Sequence, residues 1–529
     1  MMEKMNLKRL GLRLAAATMA LSLTAAVGCG GDKKGGDDGY KASETKLPIV
    51  EKEITLKWWY PIAPEGGITS WAESEVFKEL KKRTNINLEF EIPVGDAAQQ
   101  YTLMMSSGTM PDIITHQWFG FAGGPDAAVE DKAYIDLTDY YEKGDLPNYR
   151  KMVEEAKAES YLRSNAGRIT WFSSVRTPGI DRQPPYVGPV VRKDWLDKLG
   201  LETPETIDDW YTMLKAFKTQ LKVEKPLSIQ PNGYDWNYSF MNSYGVTDGF
   251  TVENDKVVYG PADERMLAFV TEMNKWYKEG LLIIEPQDEK NYYNDSTAAW
   301  NHGFYLLEEW KGKASDPKYN AVGVPYPVLK SGDEIKVTYY DDKVSTFGQG
   351  TFITTENKYP LETAKMFDYL YSDDGVLLTN YGVEGLTYEK DSSGKPAFND
   401  YMLKNPDGKS FLQMIKNDTF SRFVNDWHIE LQGFSEKEVD ALTVQWAKVK
   451  DTNNLPRLDY FGTASQITEY NRLAAQIPLY ARGKITAFIT GEEPLSNWNA
   501  YTEQLKAMGV GDMTRITQEK YDSFKKNEK

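Results

Sequence analysis

Several places in the chain set large aromatic rings beside planar polar side chains. Trp58, Trp59 and Tyr60 close one apolar-alternating run, and Trp118 follows His116 and Gln117. Tyr234, Asp235, Trp236 and Asn237 are consecutive, Trp300 precedes Asn301 and His302, Trp427 precedes His428, and Trp171 stands farther from such neighbours. A flat ring covers the apolar face of a ligand while an adjacent amide or carboxylate reads hydroxyl groups, the mixture found in pockets that are mostly apolar with a few placed polar groups. On that chemistry the candidate binding residues are Trp59, Tyr60, Trp118, Trp171, Tyr234, Trp236, Asn237, Trp300 and Trp427, with Glu384 of the Gly-Val-Glu-Gly turn as a further hydrogen-bonding group. Core packing is the competing role for every one of these rings. Trp195, Trp210 and Trp276 recur at helical spacing with other apolar residues and are assigned to cores.

Bond-making chemistry has little to work with. The three histidines, His116, His302 and His428, are far apart and have no His-Glu-x-x-His spacing. There is no Gly-x-Ser-x-Gly elbow, and Gly408-Lys409-Ser410 lacks the upstream glycine of a phosphate loop. No catalytic residue, cofactor or metal site is expected. A carboxylate pair drawn from the 78 acidic residues leaves a secreted carbohydrate hydrolase as the alternative. A formal charge of −16 opposes nucleic-acid binding, which depends on phosphate neutralisation by Lys and Arg. The single cysteine excludes an intrachain disulfide.

That cysteine is Cys29, and it ends a basic head and a short apolar segment, Leu14 to Val27. At 1.5 Å per residue the segment spans roughly 21 Å, less than the roughly 30 Å core of a bilayer, so residues 1–28 read as a cleaved secretory signal. Ala26-Val27-Gly28-Cys29 resembles the bacterial lipobox, which implies lipidation of Cys29 and an extracytoplasmic location at the cell membrane. The polar run that follows makes 29–51 a lipidated cysteine with a flexible tether.

The elements that must position the rings begin at Ile54. Strand, helix, strand, helix, strand alternate through Ile114, the mark of an α/β sheet with crossover helices. Thr206 is placed to cap a helix carrying Trp210, Leu214 and Phe217. Pro261 to Glu279 reads as a long helix, Phe347 to Thr354 as a strand, and Leu361 to Tyr371 as a helix closed by Asp373-Asp374-Gly375. Helices are also expected over Ser465–Arg482 and Asn497–Met508. Adjacent on a strand, Trp58 and Trp59 point to opposite faces, so at most one belongs to a core on a given side.

A set of stretches in order along the chain resembles the family 1 extracellular solute-binding proteins, lipoprotein receptors of sugar-importing ABC transporters. These are Ser106 to Ile114, Ile135-Asp136-Leu137-Thr138 with Leu146-Pro147-Asn148, Arg192 to Leu201, Trp276 to Leu281, Tyr381 to Gly385, and Ile489-Thr490-Gly491 with Trp498 and Tyr501. The resemblance implies an α/β, two-lobed periplasmic-binding-protein-like fold of type II, with crossing hinge strands and a ligand cleft between lobes. It implies lobe 1 at 52–170 with 346–395 and lobe 2 at 171–345 with 396–529. It implies a carbohydrate ligand, an oligosaccharide in particular, delivered by hinge closure to ABC-transporter permease subunits by a monomeric receptor. Some relatives carry an Asp/Asn-rich calcium loop after the helix corresponding to 207–219. Here Gln220 to Pro226 holds one carboxylate and two lysines, too few oxygens for calcium, and none is expected there. Arg192 is open to two roles, an anionic-sugar contact or an ion pair that stabilises a lobe.

Overall fold

The computed structural model describes residues 46–528 except 65–66, 118–120, 179–182, 230–239, 287, 289, 296–301, 339–348, 406–407, 451, 457 and 459–460. A strand β1 (Ile54–Trp59) is followed by helix α1 (Glu75–Thr84), strand β2 (Ile86–Glu91), helix α2 (Ala97–Ser107) and strand β3 (Ile113–Gln117). The crossovers put β2 and β3 parallel to β1, with Ile54 opposite Ile86 and Trp58 opposite Ile113. The sheet continues through the strand Gln349–Ile353, antiparallel to β3 with Thr351 opposite Thr115, to β4 (Phe172–Ser173). Strands more than 170 residues apart in sequence thus share one sheet, in the order β2, β1, β3, Gln349–Ile353, β4.

Both Trp58 and Trp59 are buried, because helices cover both faces of this sheet. Trp58 is ringed by Phe77, Phe90, Phe367, Phe420 and Phe423, and its indole N–H donates to the Thr115 hydroxyl at 2.9 Å. Trp59, on the other face, meets Tyr101 of α2 with ring centroids 6.1 Å apart.

A second core forms around Trp210 and Trp276 as expected, with Phe240 edge-on to both rings. Thr206 caps the helix Ile207–Ala216 in a reciprocal capping box with Asp209. The long helix starts later than expected, at Glu264, because the Asp263 side chain accepts from the Arg265 N–H and Gly260–Ala262 forms a 3-10 turn instead. Gly280, at φ +64°, turns the chain directly after it.

Two other differences have local causes. Asp373-Asp374-Gly375 does not close a helix but opens one, Asp373–Tyr381, because Ser372 accepts from the Gly375 N–H. Gly375 is needed there: a Cβ would lie 2.0 Å from the Tyr369 carbonyl oxygen. The expected helix over Ser465–Arg482 is two, Ala464–Ala474 and Ile477–Thr490, with Pro478 in the first turn of the second. A final helix, Val510–Asn527, follows Gly509 and returns Phe524 to the sheet's core against Tyr161.

From Ser173 the chain leaves the large sheet. Strand β5 (Val175–Arg176) pairs parallel with Val424–Asn425, which brings a late segment alongside an early one. Residues 420–426 are held on their other side by the helix Asp373–Tyr381: Phe420 N donates to Thr379 O at 2.6 Å, and the Asn380 amide donates to Val424 O at 3.0 Å. Phe398, Phe411, Met414 and Ile415 form a small core against that same helix through Leu377 and Tyr381.

Candidate functional site

The paired segments 175–176 and 424–425 carry Arg176 and Asn425, and the stretch around them adds Arg422, Asp426, His428 and Glu430. Tyr60 emerges from the C-terminal end of β1, the end at which ligands of open α/β sheets are held. Its ring packs against Trp58, Trp71 and Phe420, but its buried hydroxyl makes no hydrogen bond among the described residues. Burial raises the Tyr60 pKa, and the Arg422 guanidinium close by opposes the rise.

Arg422 stands between Phe420 and Phe423, both core residues, and its side chain is half-buried. It forms no ion pair at 4.0 Å or less among the described residues. Its charge also acts on Glu430, which lies on the 3-10 turn Trp427–Gly433. The Tyr186 hydroxyl donates to Glu430 at 2.8 Å. Burial raises the Glu430 pKa above the ordinary carboxylate value, while the Tyr186 hydrogen bond and Arg422 pull it back.

Next to them, the buried Arg176 guanidinium donates to the amide oxygens of Gln183 and Asn425, across the two paired strands. Asp426 caps the Trp427 turn by accepting from His428 N at 3.0 Å, and its carboxylate also meets His428 Nδ1 at 3.1 Å. The Trp427 and His428 rings stack with centroids 3.9 Å apart. One short stretch, Arg422 to Glu430, therefore joins the aromatic core under β1 to the core around Trp310 and Trp446.

The rings singled out in the sequence fall in different places. Trp59, Tyr60, Trp171 and Trp427 are all buried and pack in this structure before they do anything else. Of these, Trp171 has no exposed surface, and Trp59 is closed off by α2. Tyr60 keeps its open hydroxyl, and Trp427 is linked to it through the Arg422–Glu430 stretch. Glu384 is exposed and pairs with Lys390 at 3.2 Å. Trp118, Tyr234, Trp236, Asn237, Trp300 and Cys29 lie outside the described residues.

Arg192 is a structural ion pair. Nε and Nη2 clasp both oxygens of Asp194 at 2.8 and 2.6 Å, and the guanidinium is held between Trp195 and Tyr319, 4.1 and 4.4 Å from their ring centroids. At Gln220–Pro226 the lysine Lys225 pairs with Glu285 at 2.9 Å. No group of three or more His, Cys, Asp or Glu side chains that could hold a metal ion occurs among the described residues.

Sequence reasoning missed Arg422, Glu430, Tyr186 and Arg176. Arg422 carried a usable signal, a lone cation inside the apolar run Phe420 to Val424.

Residues 63–376 match the family model described as bacterial extracellular solute-binding protein. The chain is 23% identical, over 97% of its length and 98% of the relative's, to the fructooligosaccharide ABC transporter substrate-binding protein FusA of Streptococcus pneumoniae serotype 4. It is 25% identical to the lipoprotein LipO of Bacillus subtilis, over 66% of this chain and 71% of that one. Among solved structures, the alginate-binding protein AlgQ2 superposes with a TM-score of 0.70 at 22% identity, covering 90% of this chain and 99% of the other. The fold is accordingly the two-lobed one of the solute-binding proteins.

Proposed function

The chain belongs to the bacterial extracellular solute-binding protein family, and from that premise we propose that it captures an oligosaccharide and presents it to an ABC importer without changing it chemically. The observation that carries the reading is the polar cluster where the chain crosses back, beside β5 and Val424–Asn425. Tyr60, Arg422 and Glu430 offer donors and an acceptor at the edge of two cores, the arrangement that ligand hydroxyls complete. The similarity to FusA supports the carbohydrate class.

In this reading the lobes follow the hydrophobic cores. The first comprises the large sheet with 52–170 and 346–395, and it also takes 396–425, whose apolar residues pack against the helix Asp373–Tyr381 and under Trp58. The second comprises the cores around Trp210 and Trp310. Ligand contacts made only when the lobes meet shift the population to the closed form, which the permease recognises. On the chemistry of their side chains alone, Trp118, Tyr234, Trp236, Asn237 and Trp300 are proposed as further ligand contacts. Lipidation of Cys29 tethers the receptor to the membrane, a reading that similarity to LipO supports.

Titration of the purified protein with a panel of oligosaccharides, beginning with kestose, checks this directly. A saturable tryptophan fluorescence change with no new reducing ends or shortened products is expected, and turnover of any panel sugar would establish the hydrolase alternative instead. Cys29→Ser is expected to move the protein from the membrane to the soluble fraction.

A further inference from the structure

The core around Trp210 and Trp276 has its own parallel strand pair, Leu227–Ile229 beside Leu282–Ile284, with Leu227 opposite Leu282 and Ile229 opposite Ile284. Ligands of α/β folds gather outside the carboxyl ends of such strands. At that end Glu285 prolongs the pairing by donating its N–H to the Ile229 carbonyl at 3.0 Å. Its carboxylate then collects three side chains. Oε1 accepts from the Ser228 hydroxyl at 2.9 Å and from the Asn291 amide at 2.7 Å, and Oε2 accepts from Lys225 Nζ at 2.9 Å. The same ammonium donates to Asn291 Oδ1 at 3.1 Å, so both groups of the Asn291 amide are engaged.

Asn291 opens the π-helical turn Asn291–Asp295, a rare backbone form that is frequent at functional sites. Its first, second and fourth residues are tied down. Asn291 is held by Glu285 and Lys225. Tyr292 is buried, its ring 5.6 Å from that of Trp310 and its carbonyl accepting from the Tyr319 hydroxyl at 3.2 Å. The Asn294 side-chain oxygen accepts from the Ser315 N–H at 3.1 Å and from its hydroxyl at 2.8 Å. Tyr293 is the residue left over. Its ring lies half-buried on the core around Trp310, beside no other aromatic ring, and its hydroxyl makes no hydrogen bond among the described residues. A turn held at its other residues, with one flat ring left open at the ends of two strands, gives a ligand contact area at little ordering cost.

We propose that Tyr293 is a ligand contact of the second lobe, covering the C–H face of a sugar ring, and that Glu285 is the positioning residue that holds it there. The proposal rests on the carbohydrate-capture reading and adds a contact from a region separate from the crossing cluster. Fastening the strand ends would by itself serve stability; the open ring on the fastened turn is what calls for a ligand.

The test is fluorescence titration of the whole protein with kestose, maltotriose, xylotriose, mannotriose and trigalacturonate. It is repeated with Tyr293→Ala, Tyr293→Phe, Glu285→Gln and the double variant Tyr293→Ala with Glu285→Gln. Tyr293→Ala is expected to weaken the tightest of these sugars about tenfold or more, and Tyr293→Phe less than about threefold, the scale and the ring dependence of stacking on a flat ligand face. Glu285→Gln should also weaken that sugar, but should cost nothing further in the Tyr293→Ala background, because a positioning residue acts through the ring it positions. Melting temperatures confirm that each variant is folded, and Asn291→Ala, which breaks the same tie from the side of the turn, replaces Glu285→Gln if that variant is not. A folded Tyr293→Ala with unchanged affinity overturns the proposal while leaving carbohydrate capture standing. Equal losses from Glu285→Gln with and without the Tyr293 ring overturn its positioning role. A wild type that binds none of the sugars overturns carbohydrate capture and the proposal together.

Discussion

Arg192 and Arg422 are two arginines set among aromatic residues, and they differ in what surrounds the charged end. At Arg192 every direction is used: Asp194 takes the guanidinium fork and Trp195 and Tyr319 cover its two faces. At Arg422 the backbone is as firmly held, by Phe420 and Phe423 on the aromatic core, but among the described residues the guanidinium forms no ion pair and has the Tyr60 hydroxyl and the Glu430 charge near it. The first arrangement stabilises a lobe and is complete without a ligand. The second lies at the crossing of the chain, and in the proposed reading a ligand completes it. Residue type alone does not separate a structural arginine from a recognition arginine; the partner count around it does.

Substitution should separate the two regions most sharply in stability. Arg192→Met leaves the Asp194 carboxylate poorly solvated and unpaired, and a loss of about 3–5 kcal/mol in chemical denaturation is expected. The double variant Arg192→Met with Asp194→Leu should recover most of it, which would confirm that the unpaired charge is the cause. Trp58→Ala, in the fully packed core under β1, should cost a similar ~3–5 kcal/mol. Arg422→Ala removes no ion pair among the described residues, so its effect on stability should stay below about 1 kcal/mol while sugar affinity falls. A large loss of stability in Arg422→Ala would erase the contrast.

Acid titration sharpens the same comparison through opposite signs. Asp263, hydrogen-bonded to Arg265 and to that residue's N–H, has a lowered pKa. Its contribution is present above the unfolded carboxylate value and is lost as pH falls through the folded one. Asp263→Ala should therefore cost about 1 kcal/mol near neutrality, a typical helix-cap loss, and progressively less in acid. Glu430 has a raised pKa, so its ionisation burdens the fold as pH rises through that value. Glu430→Gln is expected to raise the melting temperature slightly at neutral pH and to leave it unchanged in acid.

The α/β alternation, the N-cap at Thr206 and the cores around Trp210 and Trp276 were legible because they rest on local spacing and short-range hydrogen bonds. The start of a helix at Asp373 was not, since an acidic pair followed by glycine reads equally as a turn until Ser372 is seen to cap it. The last helix, Val510–Asn527, was hidden by a polar surface and by Gly509 directly before it. Rings were a poor guide to the site for a physical reason: Trp59 and Trp171 have the composition of a sugar platform and the burial of a core. The crossing cluster depends on residues 60, 176, 186, 422 and 430 meeting through tertiary structure, and no spacing in the chain announces that. The pairing of β5 with Val424–Asn425 spans about 250 residues; the resemblance implied crossing strands but not this pair.

Small-angle X-ray scattering of the protein with and without a saturating panel sugar tests capture by closure most directly. The account predicts a smaller radius of gyration in the presence of the sugar, reversed by dialysis, with all of the sugar recovered intact. An unchanged radius of gyration at demonstrated saturation, or recovery of cleaved sugar, would contradict it.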